Sequence, residues 1–294
     1  MQDATRWRLA RCVGLLAAIV VAGEGSAVVA QQDGSNLVEP LYRVHRDARV
    51  EPVEHATPAA GEHPLMPAIR MARHSLDHID AHIKDYSCTL VKRENIDGEV
   101  GEHEYIFTKV RHEPFSVYMY FLGPESAKGR ECIYVAGRNE NKLIAHDGGG
   151  RLRAILPTVR IDPTGMLAMR GQRYPITEVG FRTLTARLIE VAEQDAQYGE
   201  CEVKFFNGAK INGRVCTCLQ VVHPAPRKNF RFHLARIFID DELQAPIRFE
   251  SYDWPRSPGA KPALLEEYTY MNLKINNGFT DADFDEQNQD YNFH

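Results

Sequence analysis

From residue 64 onward, apolar residues first recur at alternating steps of four and three: Leu65, Ile69, Ala72, Leu76, Ile79 and Ile83. That period lines one face of a helix and leaves Arg70, Arg73, Asp77, Asp80 and Lys84 on the others, so the helix must lie on a core. The period then changes to two. Residues 86–95 lead to an Asp97-Gly98 turn, and 102–111 alternate, with Tyr105 and Phe107 on one side and Ile106 and Val110 on the other. Residues 115–122 are apolar on both faces, the pattern of a central or doubly covered strand. Strands over 130–136, 141–146 and 152–156 continue an antiparallel meander, with Asp147-Gly148-Gly149-Gly150 as the turn before the last.

Between residues 157 and 180 the pattern breaks. Asp162-Pro163-Thr164-Gly165, Arg170-Gly171 and Tyr174-Pro175 make this segment too irregular for a strand, yet it is too apolar for a free loop; it is predicted to cross the top of the sheet. A second helix is predicted over 181–197, with Phe181, Leu184, Leu188 and Val191 on its inner stripe. Strands resume over 200–206, 215–223, 230–240, 247–254 and 265–275. The alternation slips near Ala235 and near Ser251, as at β-bulges, which bend a sheet. The pattern specifies an α+β fold: a strongly curved antiparallel β-sheet, a half-barrel, wrapped around helices.

The start of the chain is different. Arg6, Arg8 and Arg11 precede an apolar run over 13–22, and Val28-Val29-Ala30 offers small residues to a signal peptidase. The run is about half the roughly 20 residues a membrane span needs. The expected organisation is a signal peptide over 1–30, a flexible linker over 31–62 without apolar period, and a single domain over 63–294. Export to the periplasm or beyond follows, with contact to a membrane peripheral at most.

Composition fits one large β-rich domain: 294 residues, 44% hydrophobic and 26% charged. Cleavage would remove three arginines with Asp3 and Glu24, taking the formal charge from −5 to −6, a balance that attracts no nucleic acid. Five cysteines would remain: Cys88, Cys132, Cys201, Cys216 and Cys218. An odd number leaves at least one thiol unpaired within the chain. Cys216 and Cys218 share a strand face, where buried thiols are commoner than a metal site, and no metal or cofactor is predicted.

The order of elements resembles the lipoprotein carrier fold of LolA and LolB. The resemblance rests on the leader, the helix before Tyr86-Ser87-Cys88, the strand through Phe115, and Lys142-Leu143-Ile144-Ala145-His146-Asp147-Gly148. More closely, the chain resembles a secreted domain-of-unknown-function family placed with that fold. There the segments Asp162-Pro163-Thr164-Gly165, Arg173-Tyr174-Pro175-Ile176-Thr177-Glu178, Gly208-Ala209-Lys210-Ile211-Asn212-Gly213 and Ile239-Asp240-Asp241-Glu242-Leu243-Gln244 carry the likeness, over about residues 65–285. The carriers bind acyl chains between sheet and helices, so the resemblance implies a lipid or an acylated protein as ligand.

Candidate lining residues are Tyr105, Phe107, Val117, Met119, Phe121, Ile133, Val135, Phe230, Phe232, Leu234, Met271 and Leu273. Arg160, Arg170 and Arg173, in the crossing segment, are candidates for a headgroup, although salt bridges to Asp162 and Glu178 compete for them. A related reading gives the cleft to a polypeptide from an envelope protein partner. No catalytic spacing motif is present. An envelope hydrolase acting on lipid or glycan would have to use acidic residues such as Asp240 or Asp241, with His146 or His223 as base. Asp240, Asp241 and Glu242 also read as a solvated turn or a calcium site, and residues 147–150 as a hairpin rather than a phosphate cradle. A carrier should show a closed apolar cavity lacking converging ionisable groups, whereas a hydrolase should show a carboxylate or histidine of shifted pKa at the bottom of a wet cleft; a cleft filled by Tyr252, Trp254 and their neighbours would bind nothing.

Overall fold

The computed structural model describes residues 42–43, 58–148 and 156–293. In chain order the elements are β1 (Tyr42–Arg43), α1 (Met66–His82), β2 (Asp85–Ile96), β3 (Glu99–Val100), β4 (Glu104–Arg111), β5 (Ser116–Gly123), β6 (Arg130–Val135), β7 (Leu143–Asp147) and β8 (Val159–Ile161). After them come α2 (Phe181–Asp195), β9 (Glu202–Ile211), β10 (Arg214–Val222), β11 (Leu234–Asp240), β12 (Ala245–Tyr252) and β13 (Leu264–Ile275). All thirteen strands belong to one antiparallel sheet. Its order is β1-β9-β10-β11-β12-β13-β2-β4-β5-β6-β7-β8, with β3 pairing β2 beside that path. The first and last strands of the path do not pair with each other among the described residues, so the sheet is an open half-barrel.

Its concave face holds both helices. Alternate residues of β2, β4 and β5, among them Leu90, Ile106, Val110 and Val117, pack with Ile79 and Ile83 at the end of α1 and Phe181 at the start of α2. Farther along, Leu65 and Ile69 meet Phe205, Leu219, Val221, Ile237 and Phe249. The convex face of β5 is also covered. Tyr118 stacks on Tyr291 at 3.9 Å and 9°, and Glu131 accepts a 2.6 Å hydrogen bond from Asn292 Nδ2. The chain's last residues thus explain why β5 is apolar on both sides.

Several boundaries differ from expectation. The leader, most of the linker and residues 152–155 of an expected strand lie outside the described residues. Within the expected linker, Tyr42 and Arg43 pair with Ile211 and Lys210 at the sheet edge, which corrects a tether free of structure up to residue 62. β9 continues to Ile211 rather than ending at 206. The turn is Asn212-Gly213, both at positive φ, while Gly208 is absorbed in a bulge where Cys216 faces Ala209 and Cys218 faces Phe206. The bulge expected near Ala235 lies between Phe238 and Ile239, beside Pro246, which has no N–H for the ladder. The one near Ser251 falls between Ser251 and Tyr252. The five cysteines among the described residues are free thiols. Among the described residues no helix is long and apolar enough to cross a membrane.

Candidate functional site

A cavity of about 760 Å³ lies between the concave sheet, α2 and the segment that crosses from β8 to α2. It stops at a corner of the half-barrel that side chains fill. There Phe181 stacks on Tyr86 at 4.2 Å, and both are fully buried. Gly180 makes this corner fit: its φ is +113°, and a Cβ would lie 2.8 Å from the Tyr86 hydroxyl oxygen, which accepts the Phe181 N–H at 3.3 Å. From that fixed start α2 presents Leu184, Leu188 and Val191 to the cavity, as its apolar period predicts. The sheet contributes Leu90, Ile106, Met119, Phe121 and Phe249, and the connection before β11 adds Phe232. The crossing segment closes the space with Leu167, Ala168 and Ile176.

One wall is polar. Cross-strand partners Glu94 and Glu266 stand directly opposite each other on β2 and β13, 8% and 5% exposed. Like charges so placed need compensation. Lys92 Nζ lies 3.2 Å from Glu94 Oε2 and 2.9 Å from Glu104 Oε2, and it donates to Gln172 Oε1 at 2.6 Å. Arg173 donates from Nε to Glu266 Oε2 and from its backbone N–H to Glu94 Oε2, each at 3.2 Å. The Tyr268 hydroxyl bridges Glu94 and Glu266. Tyr174 OH and Ser251 Oγ donate to Glu266 Oε1 at 3.2 and 3.1 Å. Burial, reinforced by Glu266 and Glu94, pushes the Tyr268 hydroxyl far above its ordinary range, so it stays a donor.

Of the twelve residues expected to line the site, Met119, Phe121 and Phe232 face the cavity. Val117 shares their face but packs at the filled corner with Tyr86 and Phe181. Register places Tyr105, Phe107, Ile133, Val135 and Leu234 on the convex side, along with Met271, which pairs with Thr89. Leu273 lies within the irregular pairing that follows Met271. Phe230 stacks on His223 at 3.9 Å. Among the arginines, Arg170 and Arg173 line the cavity, whereas Arg160 forms an ion pair with Glu286. The expected partners Asp162 and Glu178 give way to Glu286 and Glu266.

The acidic turn is structural. Asp240 is 1% exposed; it pairs with Arg214 and accepts the N–H groups of Glu242 and Leu243 at 3.0 and 2.8 Å. Asp241 accepts from Thr217 Oγ1 at 3.0 Å, and neither aspartate reaches the cavity. His146 and Asp147 do line it, with Asp147 3.8 Å from Arg130. Burial pushes the Cys132, Cys216 and Cys218 thiols up to about 12, which keeps them protonated and poor as nucleophiles or metal ligands. Trp254 turns away from the cavity and donates its indole N–H to the His223 carbonyl at 3.1 Å.

The polar wall departs from the cavity without converging ionisable groups expected of a carrier, and it is absent from the sequence-based lining, although period two places Leu90, Lys92 and Glu94 on one face, as it does Glu266, Tyr268 and Tyr270. Charged residues on a strand ordinarily mark the solvated side; here they mark the inside.

No curated protein matches the sequence. Among solved structures, an uncharacterized conserved protein from Thermus thermophilus is similar at 13% identity and a TM-score of 0.41, covering 72% of this chain and 91% of that one. A putative outer membrane lipoprotein-sorting protein domain from Vibrio parahaemolyticus is similar at 13% identity and 0.36, over 74% and 96%. The Mycobacterium tuberculosis lipoprotein LppX is similar at 12% identity and 0.39, over 72% and 98%. A family model for proteins of unknown function, DUF1571, matches residues 83–293, and the chain belongs to that family.

Proposed function

We propose that this protein is an exported, non-catalytic binding protein that shelters an apolar or acylated ligand, a lipid or an acylated protein, in the half-barrel cavity. The cavity itself carries the reading. Its volume of about 760 Å³ lies within the roughly 300–1,000 Å³ of small-molecule sites, and its aliphatic and aromatic walls suit hydrocarbon. Each ligand methylene withdrawn from water contributes about 0.8 kcal/mol, so an acyl chain needs no polar contact to be held. Met119, Phe121 and Phe232, together with Leu90, Ile106, Leu184 and Leu188, would contact the chain. Arg170, exposed at the rim, could add only a screened contact to a headgroup. Signal-peptide cleavage after Ala30 and a domain beginning near residue 63 complete the proposal.

The test uses N-phenyl-1-naphthylamine, a neutral dye that fluoresces on leaving water. Saturable uptake is expected. Ala145, which also lines the cavity, gives the control: Ala145→Trp sets an indole inside it and should weaken uptake by at least about tenfold with the fold kept by circular dichroism. Absence of saturable emission, or equal emission from folded Ala145→Trp, overturns the reading.

A further inference from the structure

We infer that the polar wall selects acyl ligands whose head is uncharged and donates hydrogen bonds, as hydroxyls or amides do, over acyl anions of the same length. This inference rests on the binding reading above and specifies its ligand class. It comes from counting donors and acceptors at the wall. An ammonium has three N–H groups, and all three of Lys92 are engaged, by Glu94, Glu104 and Gln172. Lys92 is 7% exposed, so water supplies no substitute. Arg173 donates to Glu266 and Glu94, and its Nη1 reaches the Asn95 carbonyl at 3.2 Å. Its side chain is 30% exposed, so an ion pair made with its remaining N–H groups is screened.

An anionic head entering the wall therefore finds its cations already engaged. It can gain Lys92 only by displacing Glu94, Glu104 or Gln172, which costs a buried contact beside a second negative charge, and from Arg173 it gains only a screened contact. A hydroxyl or amide head meets the opposite situation. Glu94 accepts from Lys92, Arg173 and Tyr268, three of the roughly four sites a carboxylate offers. A donor can take the remaining site without breaking any contact, and its bond to a charged acceptor is of the stronger kind. The two cations face three carboxylates, Glu94, Glu104 and Glu266, so an anion gains no net attraction from this wall.

The experiment displaces N-phenyl-1-naphthylamine from the full chain with ligands of one acyl length: monopalmitoylglycerol, palmitamide and palmitate. The glycerol ester and the amide should displace the dye at concentrations roughly tenfold or more below palmitate. Glu266→Gln frees Arg173 and should improve palmitate relative to monopalmitoylglycerol; Glu94→Gln, which frees Lys92 and removes the charged acceptor of the neutral head, should narrow the gap between the two ligands from both sides and serves if the first variant does not fold. Palmitate competing as well as the neutral ligands, with no gain in either variant, overturns the selectivity while leaving binding intact. Dye that never enters the wild-type protein overturns the binding reading and the selectivity with it.

Discussion

Asp195 and His223 lie within 3.4 Å of each other, almost without exposure. His223 Nδ1 is 3.1 Å from the Phe232 carbonyl oxygen, which can only accept, so the proton of the neutral ring sits on Nδ1 and the Nε2 lone pair faces Asp195 Oδ2. Two acceptors in contact favour a proton between them. Burial raises the Asp195 carboxyl to about 6 and lowers His223 from its ordinary range. A carboxyl raised on folding lends stability that is complete below the ordinary carboxylate pKa of about 3.9 and is lost as pH climbs through about 6. Asp195→Asn keeps a donor toward Nε2 at every pH, so its Tm should exceed the parent's at about pH 7.5, the gap closing below about pH 4. A lower Tm at the higher pH would mean that the two residues form an ion pair. The sequence offered His223 as a candidate base without its partner, because Asp195 ends a helix 28 positions before it.

At the level of elements, both helices and most strands were legible, since each carries an unbroken period and its own turn residues. What period two cannot decide is which face looks inward when both are apolar. Aromatic size favours Tyr105 and Phe107 over Ile106 as lining, yet Ile106 lines the cavity and the convex side is covered by residues near the C-terminus. The end of β9 was unreadable for a related reason: Asn207-Gly208 and Asn212-Gly213 are equivalent turn signals, and only the pairing with β10 chooses between them. The junction into α2 depends on a single glycine. Gly180→Ala would bring a methyl group within 2.8 Å of the Tyr86 oxygen while holding a side chain at positive φ. The expected loss is about 1–3 kcal/mol, read as a lower urea midpoint at unchanged slope. An unchanged midpoint would show that the corner relaxes without cost.

For the molecule as a whole, the sequence pointed to a curved antiparallel sheet around two helices, and that architecture is present. Curvature came from bulges, one where the alternation slips and one displaced to Pro246. The open space was not legible, because a void is what remains after every side chain has been placed, and the same apolar strand faces could have filled it. Nor was the charged wall, whose residues become an interior feature only when β2 and β13 meet. Native mass spectrometry of the protein purified from its own host tests the central claim most directly. The expected spectrum contains the folded chain with an added mass matching an uncharged acyl lipid or an acylated peptide, released by collisional activation and absent from Ala145→Trp. A spectrum of the bare chain alone, from protein that also takes up no monopalmitoylglycerol, would contradict it.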